Sequence, residues 1–317
     1  MIRDTDDALD RMEAELSAIS GTSPREEVRR RQIKRQMREL WEGALPLSPA
    51  DRVYLARHPR RPGVAAYIAA LFDSFVELKG DRLGKEDASI LGGIAFYKEQ
   101  PVTVIGHRKG NGLDEHLRCN FGMPGPEGYR KALRLMRQAE KFGRPIITFI
   151  DTPGAYPGLE AEAHGQSEAI ARNLAAMSAL TVPVIAVVTG EGSSGGALAI
   201  GVANTVLMLE NAVYSILSPE GFASILWKDS SRSEEACGLM KLTAQDLSRF
   251  GIIDSVVPEP PGGAHRNPRA VFDALDNVLA RELKSLRRQS GTALAAGRYK
   301  KFRQMGGAFE QAAGEDA

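Results

Sequence analysis

The chain of 317 residues has few cysteines, few aromatic residues and no long apolar run. It contains only two cysteines, Cys119 and Cys237, and aromatic residues make up 6% of it. Two thiols are too few for a disulfide framework or for a zinc site built from cysteine alone, so we expect both to be unpaired. The longest apolar stretches, such as residues 145–150 and 182–189, are far shorter than the ~18 residues that a membrane-spanning helix needs. The sequence therefore predicts no contact with a membrane.

A dominant charge of one sign is also lacking. The chain has 41 Lys and Arg against 40 Asp and Glu, which gives a formal charge of +1. Such a balance argues against a protein that coats nucleic acid, and 43% hydrophobic residues argue against disorder. The first ten residues, MIRDTDDALD, are acidic and lack the basic and apolar regions of a secretory signal. We therefore expect a cytoplasmic protein.

The apolar pattern predicts three parts. Residues 1–58 form an N-terminal helical arm and a proline-rich connection, because apolar residues recur at helical intervals over 5–20 and 24–41. Residues 59–290 form the main domain, and residues 291–317 form a tail that is basic at first and then flexible. The arginines of the second helix alternate with acidic residues, so we expect a solvated or partner-facing surface there.

Short apolar runs alternate with helical patterns along the main domain. Strands are predicted at residues 90–96, 101–107, 146–150, 184–188 and 205–209, with a last strand within 251–258. Helices are predicted near residues 126–142, 167–180 and 243–250, with a closing helix at 270–288. This alternation is typical of an α/β fold with right-handed crossovers and a largely parallel sheet.

A glycine-rich turn between a strand and a helix, Gly190-Glu-Gly-Ser-Ser-Gly-Gly-Ala197, fits two short motifs. The pattern G-x-G-x-x-G, with Glu210 twenty residues further on, is that of a dinucleotide-binding fold. About 180 residues precede it, however, whereas this fingerprint normally opens its domain. The pattern G-x-S-x-G makes Ser194 the nucleophile of a serine hydrolase, and His265 is the only histidine that follows it.

The same turn also suits chemistry by the main chain. Backbone N–H groups of Gly195, Gly196 and Ala197 lack intrahelical acceptors and could bind an oxyanion. Glycine favours this because a missing Cβ lets a substrate carbonyl approach closely. A turn used only for tight packing of strand against helix stays open as a fourth interpretation.

Two further segments could contact a ligand. The loop Asp151-Thr-Pro-Gly-Ala-Tyr-Pro-Gly158, which includes Gly154 and Ala155, follows the carboxyl end of a predicted strand, where ligands collect in α/β sheets. A plain turn capped by Asp151 explains it equally well. On the helix after residue 126, basic residues form one stripe: Arg130, Arg134, Arg137 and Lys141. This stripe could bind the phosphates of coenzyme A or an acidic surface of the carrier protein, or it could simply be solvated.

Several long segments, taken in order, resemble one family. They include LARHP at 55–59, NFGMPGPEGYRKALRLM at 120–136, PIITFIDTPGAYPG at 145–158, GQSEAIARNL at 165–174, SPEGFASILWK at 218–228 and GGAHRNP at 262–268. On these residues the chain resembles the alpha subunits of the bacterial acetyl-CoA carboxylase carboxyltransferase. The resemblance implies a crotonase-type spiral of ββα units, with the N-terminal arm and a C-terminal helix added.

The resemblance also implies the reaction and the partners. A carboxyl group passes from carboxybiotin to acetyl-CoA and gives malonyl-CoA, the first committed step of fatty acid synthesis. The biotin is attached to a biotin carboxyl carrier protein, and ATP is used by a separate biotin carboxylase. A beta subunit with a zinc ribbon completes an alpha2-beta2 assembly, so this chain should hold neither metal nor covalent biotin.

The resemblance places the site on main-chain groups. Gly195, Gly196 and Ala197 correspond to the family's Gly-Gly-Ala, whose amides would stabilise charge on the ureido oxygen of biotin. Substrate contacts are expected at Gly154, Ala155, Arg130 and Arg134. One departure is Ser193, where the family has glycine; if position 193 needs a positive φ, Ser193 is strained.

Overall fold

An eight-stranded sheet forms the core of this computed structural model, which describes residues 2–21 and 23–306. The strands are β1 (Asp73–Glu77), β2 (Ile90–Tyr97), β3 (Gln100–His107), β4 (Ile146–Thr152), β5 (Val184–Ser193), β6 (Thr205–Leu209), β7 (Val213–Ser215) and β8 (Ser255–Val257). Their order is β1-β2-β3-β4-β5-β6-β8, and β7 pairs with the end of β5. The end of the expected tail, residues 307–317, lies outside the described residues, as does Met1 of the arm.

Fourteen α-helices occur in the described part of the chain. They are α1 (Ile2–Ala18), α2 (Pro24–Gly43), α3 (Pro49–Ala56), α4 (Val64–Leu71), α5 (Leu113–Arg118), α6 (Pro126–Lys141), α7 (Leu159–Ala163), α8 (Gln166–Ala179), α9 (Ser194–Leu198), α10 (Pro219–Trp227), α11 (Ser233–Met240), α12 (Ala244–Arg249), α13 (Pro268–Leu286) and α14 (Gly291–Gln304). Among the residues described, no helix combines the length and the apolar character that crossing a membrane would require.

The sheet is parallel from β3 to β8, as the alternation of strands and helices predicts. At the other edge, β1, β2 and β3 are antiparallel, which the sequence pattern did not indicate. The reason is a two-residue turn at Lys98 and Glu99, whose φ angles are 48° and 63°. Such a turn joins neighbouring antiparallel strands, whereas parallel strands need a long crossover.

The centre of the sheet is β4 and β5, where the β5 side chains are all buried. Strands that are covered on both faces have continuous apolar sequences, and for this reason the sequence predicts strands at residues 146–150 and 184–188. Helix α6 packs on β2 and β3 and also against α8, while α4 contacts α13 and the same two strands. The carboxyl ends of β4 and β5 therefore lie side by side and open toward α9.

One segment, residues 57–61, ties distant parts of the chain to the end of β5. Arg57 bonds to Glu191 on β5 and to Glu220 on α10. The buried Arg61 donates to Thr189 O at 2.6 Å and forms a bidentate pair with Glu259. Two N–H groups beside that pair also bond to the Glu259 carboxylate, so the buried charges are fully hydrogen-bonded.

The N-terminal helix is anchored by one buried carboxylate, that of Asp6. Asp6 accepts hydrogen bonds from Tyr54 at 3.0 Å and from Arg266, and it lies 3.1 Å from His58 Nε2 and 3.2 Å from His265 Nε2. The two imidazole rings stack with centroids 3.7 Å apart. Burial would raise the Asp6 pKa, but the hydrogen bond and charge of Arg266 hold that pKa below its ordinary value. We call this group of five residues the Asp6 anchor.

The C-terminal helix α14 is held by a buried arginine without a carboxylate partner. Arg298 is 1% exposed and donates to the carbonyl groups of Met177, Leu180 and Val182 and to the side chain of Asn204. These carbonyls lie in the last turn of α8 and just after it, where helix carbonyls carry partial negative charge. Burial nevertheless lowers the pKa of Arg298 to about 10.

We expect replacement of Arg298 by Met to release α14. The carbonyl groups that follow α8 would lose their donors inside the fold, which should cost roughly 2–4 kcal/mol of unfolding free energy. Urea unfolding measures the loss, and the matched control is Arg303→Met on the exposed side of the same helix. Equal unfolding free energies for the two variants would contradict this role.

We expect acid to loosen α1 before the main sheet. Burial lowers the pKa of His265 to about 4 and also lowers that of His58. Below pH 6.5 the unfolded chain therefore binds more protons than the folded one, so stability falls as the pH drops toward 4. The stability that the ionised Asp6 carboxylate contributes is lost only as the pH falls below 3.8, the pKa of this group in the unfolded chain.

Hydrogen exchange at pH 7.5 and pH 5, corrected for the intrinsic rate, tests this expectation. Exchange in α1 should rise at the lower pH, and α1 should remain less protected than β4, whose neighbour His107 also has a lowered pKa. Replacement of His265 by Asn should reduce the pH dependence. An α1 segment equally protected at both pH values would show that the anchor does not titrate in this range.

Candidate functional site

The glycine-rich turn joins the end of β5 to the short helix α9. Ser193 is extended, with φ −127° and ψ 134°, so position 193 does not need a positive φ and the condition for strain there is not met. The residue with positive φ is instead Ser194, at 57°. The bend therefore lies at Ser194, one residue after the position where the family has glycine. It turns Gly195, Gly196 and Ala197 into the first turn of α9, where N–H groups have no acceptor within the helix.

Gly196 packs directly on the loop that follows β4. A Cβ atom at position 196 would lie 2.5 Å from Ala155 N and 2.7 Å from the carbonyl carbon of Gly154. Any side chain there would have to displace backbone, so only glycine permits this approach. The structure thus brings together two of the segments predicted from the sequence, 154–155 and 195–197.

The loop that meets Gly196 is held in place from several sides. Thr152 Oγ1 donates to Gly154 O at 2.8 Å and accepts from Gly154 N–H at 3.0 Å. Gly154 itself has φ 145°, a conformation that favours glycine. Tyr156 N–H donates to Pro124 O at 3.0 Å, and the side chain of Gln166 donates to Pro124 O and to Tyr156 O. The Gly154–Ala155 peptide therefore presents a fixed surface to α9.

An ion pair lies beneath the turn. Lys109 Nζ donates to Asp151 Oδ1 at 2.6 Å, and the same oxygen accepts from Glu191 N–H at 3.0 Å. A Cβ at Gly190 would lie 2.4 Å from that oxygen, so the glycine makes room for the carboxylate. Asp151 thus links the end of β4 to the end of β5 rather than only capping its own turn.

Two buried polar side chains that the sequence analysis did not single out lie next to Gly196. The hydroxyl of Tyr129 on α6 would be 2.9 Å from a Cβ at position 196, and His107 ends β3 close to the backbone of Gly196 and Phe149. Among the described residues, the Tyr129 hydroxyl has no hydrogen-bond partner and the His107 ring makes no close hydrogen bond. Burial lowers the pKa of His107 to about 4, so the ring is neutral at pH 7.

A sequence signal for both residues exists. Tyr129 shares the apolar face of its helix with Ala132 and Met136, which predicts that it is buried. His107 is the last residue of β3, which is parallel to β4, and polar residues at the carboxyl ends of parallel strands lie near the site.

The basic stripe on α6 is not uniformly solvated. Arg130 bonds to Asp81, Glu127 and His164 O. Arg134 donates to the carbonyl groups of residues 78, 79 and 80. Both guanidinium groups therefore hold the loop after β1, whereas Arg137 and Lys141 of the same stripe are exposed.

The residues required by the two other motifs are engaged elsewhere. His265, the histidine that a Ser194 hydrolase would need, is bonded to Asp6 in the anchor of α1. Glu210, the acid expected of a dinucleotide fold, accepts a hydrogen bond from Glu259 N–H. Ser194 itself is exposed. These contacts disfavour both alternatives.

The Asp6 anchor also brings together three groups that could ligate a metal: Asp6, His58 and His265. Its geometry fits a metal poorly. The ring planes are nearly parallel, at 15°, and Arg266 places its positive charge on the same carboxylate. Hydrogen bonding therefore explains this cluster better than ligation. Cys119 and Cys237, expected to be unpaired, are both free and buried.

Comparison with proteins of known sequence identifies close relatives. The acetyl-coenzyme A carboxylase carboxyl transferase subunit alpha of Geobacillus kaustophilus is 59% identical over 260 residues, which cover 82% of this chain and 80% of that protein. The protein of the same name from Clostridium acetobutylicum is 56% identical over 265 residues, covering 84% and 97%.

Solved structures share the fold at lower identity. The crystal structure of transcarboxylase 12S with methylmalonyl-coenzyme A matches with a TM-score of 0.57 and 20% identity, over 71% of this chain. This chain spans only 42% of the length of that one. A Pseudomonas malonate decarboxylase hetero-tetramer in complex with coenzyme A matches with a TM-score of 0.57 and 16% identity, covering 74% and 92%. The likeness confirms the expected crotonase-type α/β fold.

A family model described as acetyl co-enzyme A carboxylase carboxyltransferase-like matches residues 3–306. That range includes the arm, the sheet, the glycine-rich turn and α14. The chain therefore belongs to the acetyl-CoA carboxylase carboxyltransferase family.

Proposed function

We propose that this chain is the alpha subunit of an acetyl-CoA carboxylase carboxyltransferase. It would help to move a carboxyl group from biotin, carried on a separate protein, to acetyl-CoA, and so give malonyl-CoA. Family membership supports this proposal, and so do the names of relatives at 55–59% identity. The observation on which it depends most is the contact of Gly196 with the Gly154–Ala155 peptide, because that contact needs a glycine and orients main-chain donors.

The amides of Gly195, Gly196 and Ala197 would stabilise the negative charge that appears on the ureido oxygen of biotin. Biotin supplies the carboxyl group when it is bound, and the glycines leave space for its close approach. A Cβ at Gly195 would meet only Ile170 at 3.6 Å, so this side of the turn is open. Preorganised donors of this kind typically contribute ~3–4 kcal/mol each to a developing charge. No side-chain nucleophile is needed.

Gly154 and Ala155 would contact the substrates through their backbone. Arg130 and Arg134 would contribute to substrate binding through the loop at residues 78–81, because their guanidinium groups already bond to that loop. His107 and Tyr129 are too deeply buried to reach a substrate and would act on the backbone around Gly196.

The site would be completed by other chains. We infer a beta subunit with a zinc ribbon in an alpha2-beta2 assembly, a biotin carboxyl carrier protein and a biotin carboxylase that uses ATP. Residues 59–290 would carry the transferase half of this chain, with residues 1–58 and 291–317 as its arm and tail. A cytoplasmic location fits the two free thiols, which persist in reducing compartments.

We expect the isolated chain to be inactive and to gain activity on mixing with its beta subunit. The physical reason is that one set of oxyanion donors cannot stabilise both the biotin oxygen and the acetyl enolate. The measurement is biotin-dependent decarboxylation of malonyl-CoA by each chain alone and by the mixture. Full activity from this chain alone would refute the proposal.

We expect Gly196→Ala to reduce carboxyl transfer by about 10²–10³-fold, the usual effect of losing an oxyanion donor. The added methyl group would push Ala155 and the α9 amides apart. The matched control is Gly297→Ala on α14, outside the glycine-rich turn, where an added Cβ would have no atom within 4 Å. Assembly with the beta subunit, followed by gel filtration, should be unchanged for both variants. Comparable turnover in the two variants would mean that the 196–155 contact is not required.

A further inference from the structure

The hydroxyl group of Tyr129 occupies the space that a side chain at position 196 would fill. Its oxygen lies 2.9 Å from the position of that missing Cβ. The same Cβ position lies 2.5 Å from Ala155 N. The ring packs against Ala169 and Ala199, and Ala155 and Ile170 cover this small cluster. The tyrosine therefore touches both segments of the proposed amide site from the inside of the molecule.

The position is unfavourable for a hydroxyl group. Tyr129 is 0% exposed, and its oxygen has no hydrogen-bond partner among the described residues. Burial of a polar group without a partner opposes folding. Phenylalanine would fill the same ring space without this cost, so packing alone does not explain a tyrosine here.

His107 lies on another side of the same backbone. It is 1% exposed, neither ring nitrogen makes a close hydrogen bond to a described residue, and the backbone groups of Gly196 and Phe149 lie near the ring. The charged groups around it are Asp151, which lies on β4, and Lys109, which lies in the segment after the end of β3. Two buried dipoles thus face one glycine, from α6 and from β3.

We propose that Tyr129 and His107 are positioning residues, which fix the distance and orientation between the Gly196 backbone and the Gly154–Ala155 peptide. The Tyr129 hydroxyl fills the gap under the glycine, and the His107 ring supports the neighbouring peptide. Fixed dipoles in a dry site act strongly on nearby charge, and small displacements of reacting groups lower the rate steeply. This inference deepens the proposed function and, for its kinetic part, rests on it.

Hydrogen exchange in the full-length chain tests the inference without any assay of activity. Tyr156 N–H bonds to Pro124 O at 3.0 Å and Ala199 N–H bonds to Gly195 O at 2.9 Å, so these amides report on the two segments. In Tyr129→Phe, both should exchange at least roughly fivefold faster, because the contact that restrains local opening is lost. Unchanged exchange would overturn the inference.

Tyr67→Phe is the matched control. Tyr67 is also fully buried with an unpartnered hydroxyl, but it packs against Phe149 and Phe272 in the main core. Its replacement should leave the exchange of Tyr156 and Ala199 unchanged. Equal acceleration by both variants would indicate a general loss of packing and would overturn the inference.

Kinetics of the reconstituted complex give the second readout. Tyr129→Phe should lower kcat at least roughly tenfold, because the amides lose their alignment. KM should stay within about twofold, since substrate binding does not involve the hydroxyl. The thermal midpoint should change by no more than about 2 °C, because a small void offsets the removal of an unpartnered group. A wild-type kcat would overturn the proposal.

For His107, a pair of variants separates polarity from volume. His107→Gln keeps an N–H donor and should retain more turnover than His107→Leu, at equal assembly. Equal kcat values would contradict a positioning role for the ring. If the wild-type complex transfers no carboxyl group while exchange responds as expected, the proposed function fails and the positioning of Gly196 stands.

Discussion

The approach of Gly196 to the Gly154–Ala155 peptide is the constraint on which the site depends. The carboxyl ends of two neighbouring parallel strands, β4 and β5, bring the two segments close together, and the absence of a Cβ lets their backbones touch. Every other feature of the site follows from this contact. Ser194 takes a positive φ to turn the chain into α9, and Thr152 fastens the loop on the opposite side. The positions of the backbone amides in such a site depend on how well the strands and helices beneath them are packed.

That packing is supported by charged groups rather than by the apolar core alone. The segment 57–61 connects the end of β5 with α10 and with the loop before α13, through Arg57 and Arg61. Asp151 joins β4 to β5 and Lys109 joins β3 to both. The buried pairs are bidentate or share several hydrogen bonds, which offsets their desolvation. Electrostatic contacts thus add specific links between elements that the hydrophobic core packs together.

Much of the fold could be predicted from local patterns. Helix α6 was recognised from Pro126 at its start and from its apolar spacing, and the fully buried strands β4 and β5 from their unbroken apolar runs. The hairpin at Lys98 and Glu99 was missed, because its turn contains none of the glycine or asparagine that usually marks positive φ. The sequence left open whether position 193 needs a positive φ, and the structure has the positive φ at Ser194, since a glycine-rich run permits several positions for the same turn.

The sequence by itself determined the family, the α/β class and the glycine-rich turn, because each of these is encoded in consecutive residues. Only the tertiary structure decided which side chains surround the turn. Asp6 meets His265 across 259 positions of the chain, and Tyr129 meets Gly196 through the packing of α6. It also decided that Arg130 and Arg134 bond to a loop of their own chain. Such contacts depend on how sheet and helices stack, and stacking is set by the summed burial of many residues, which no local pattern records.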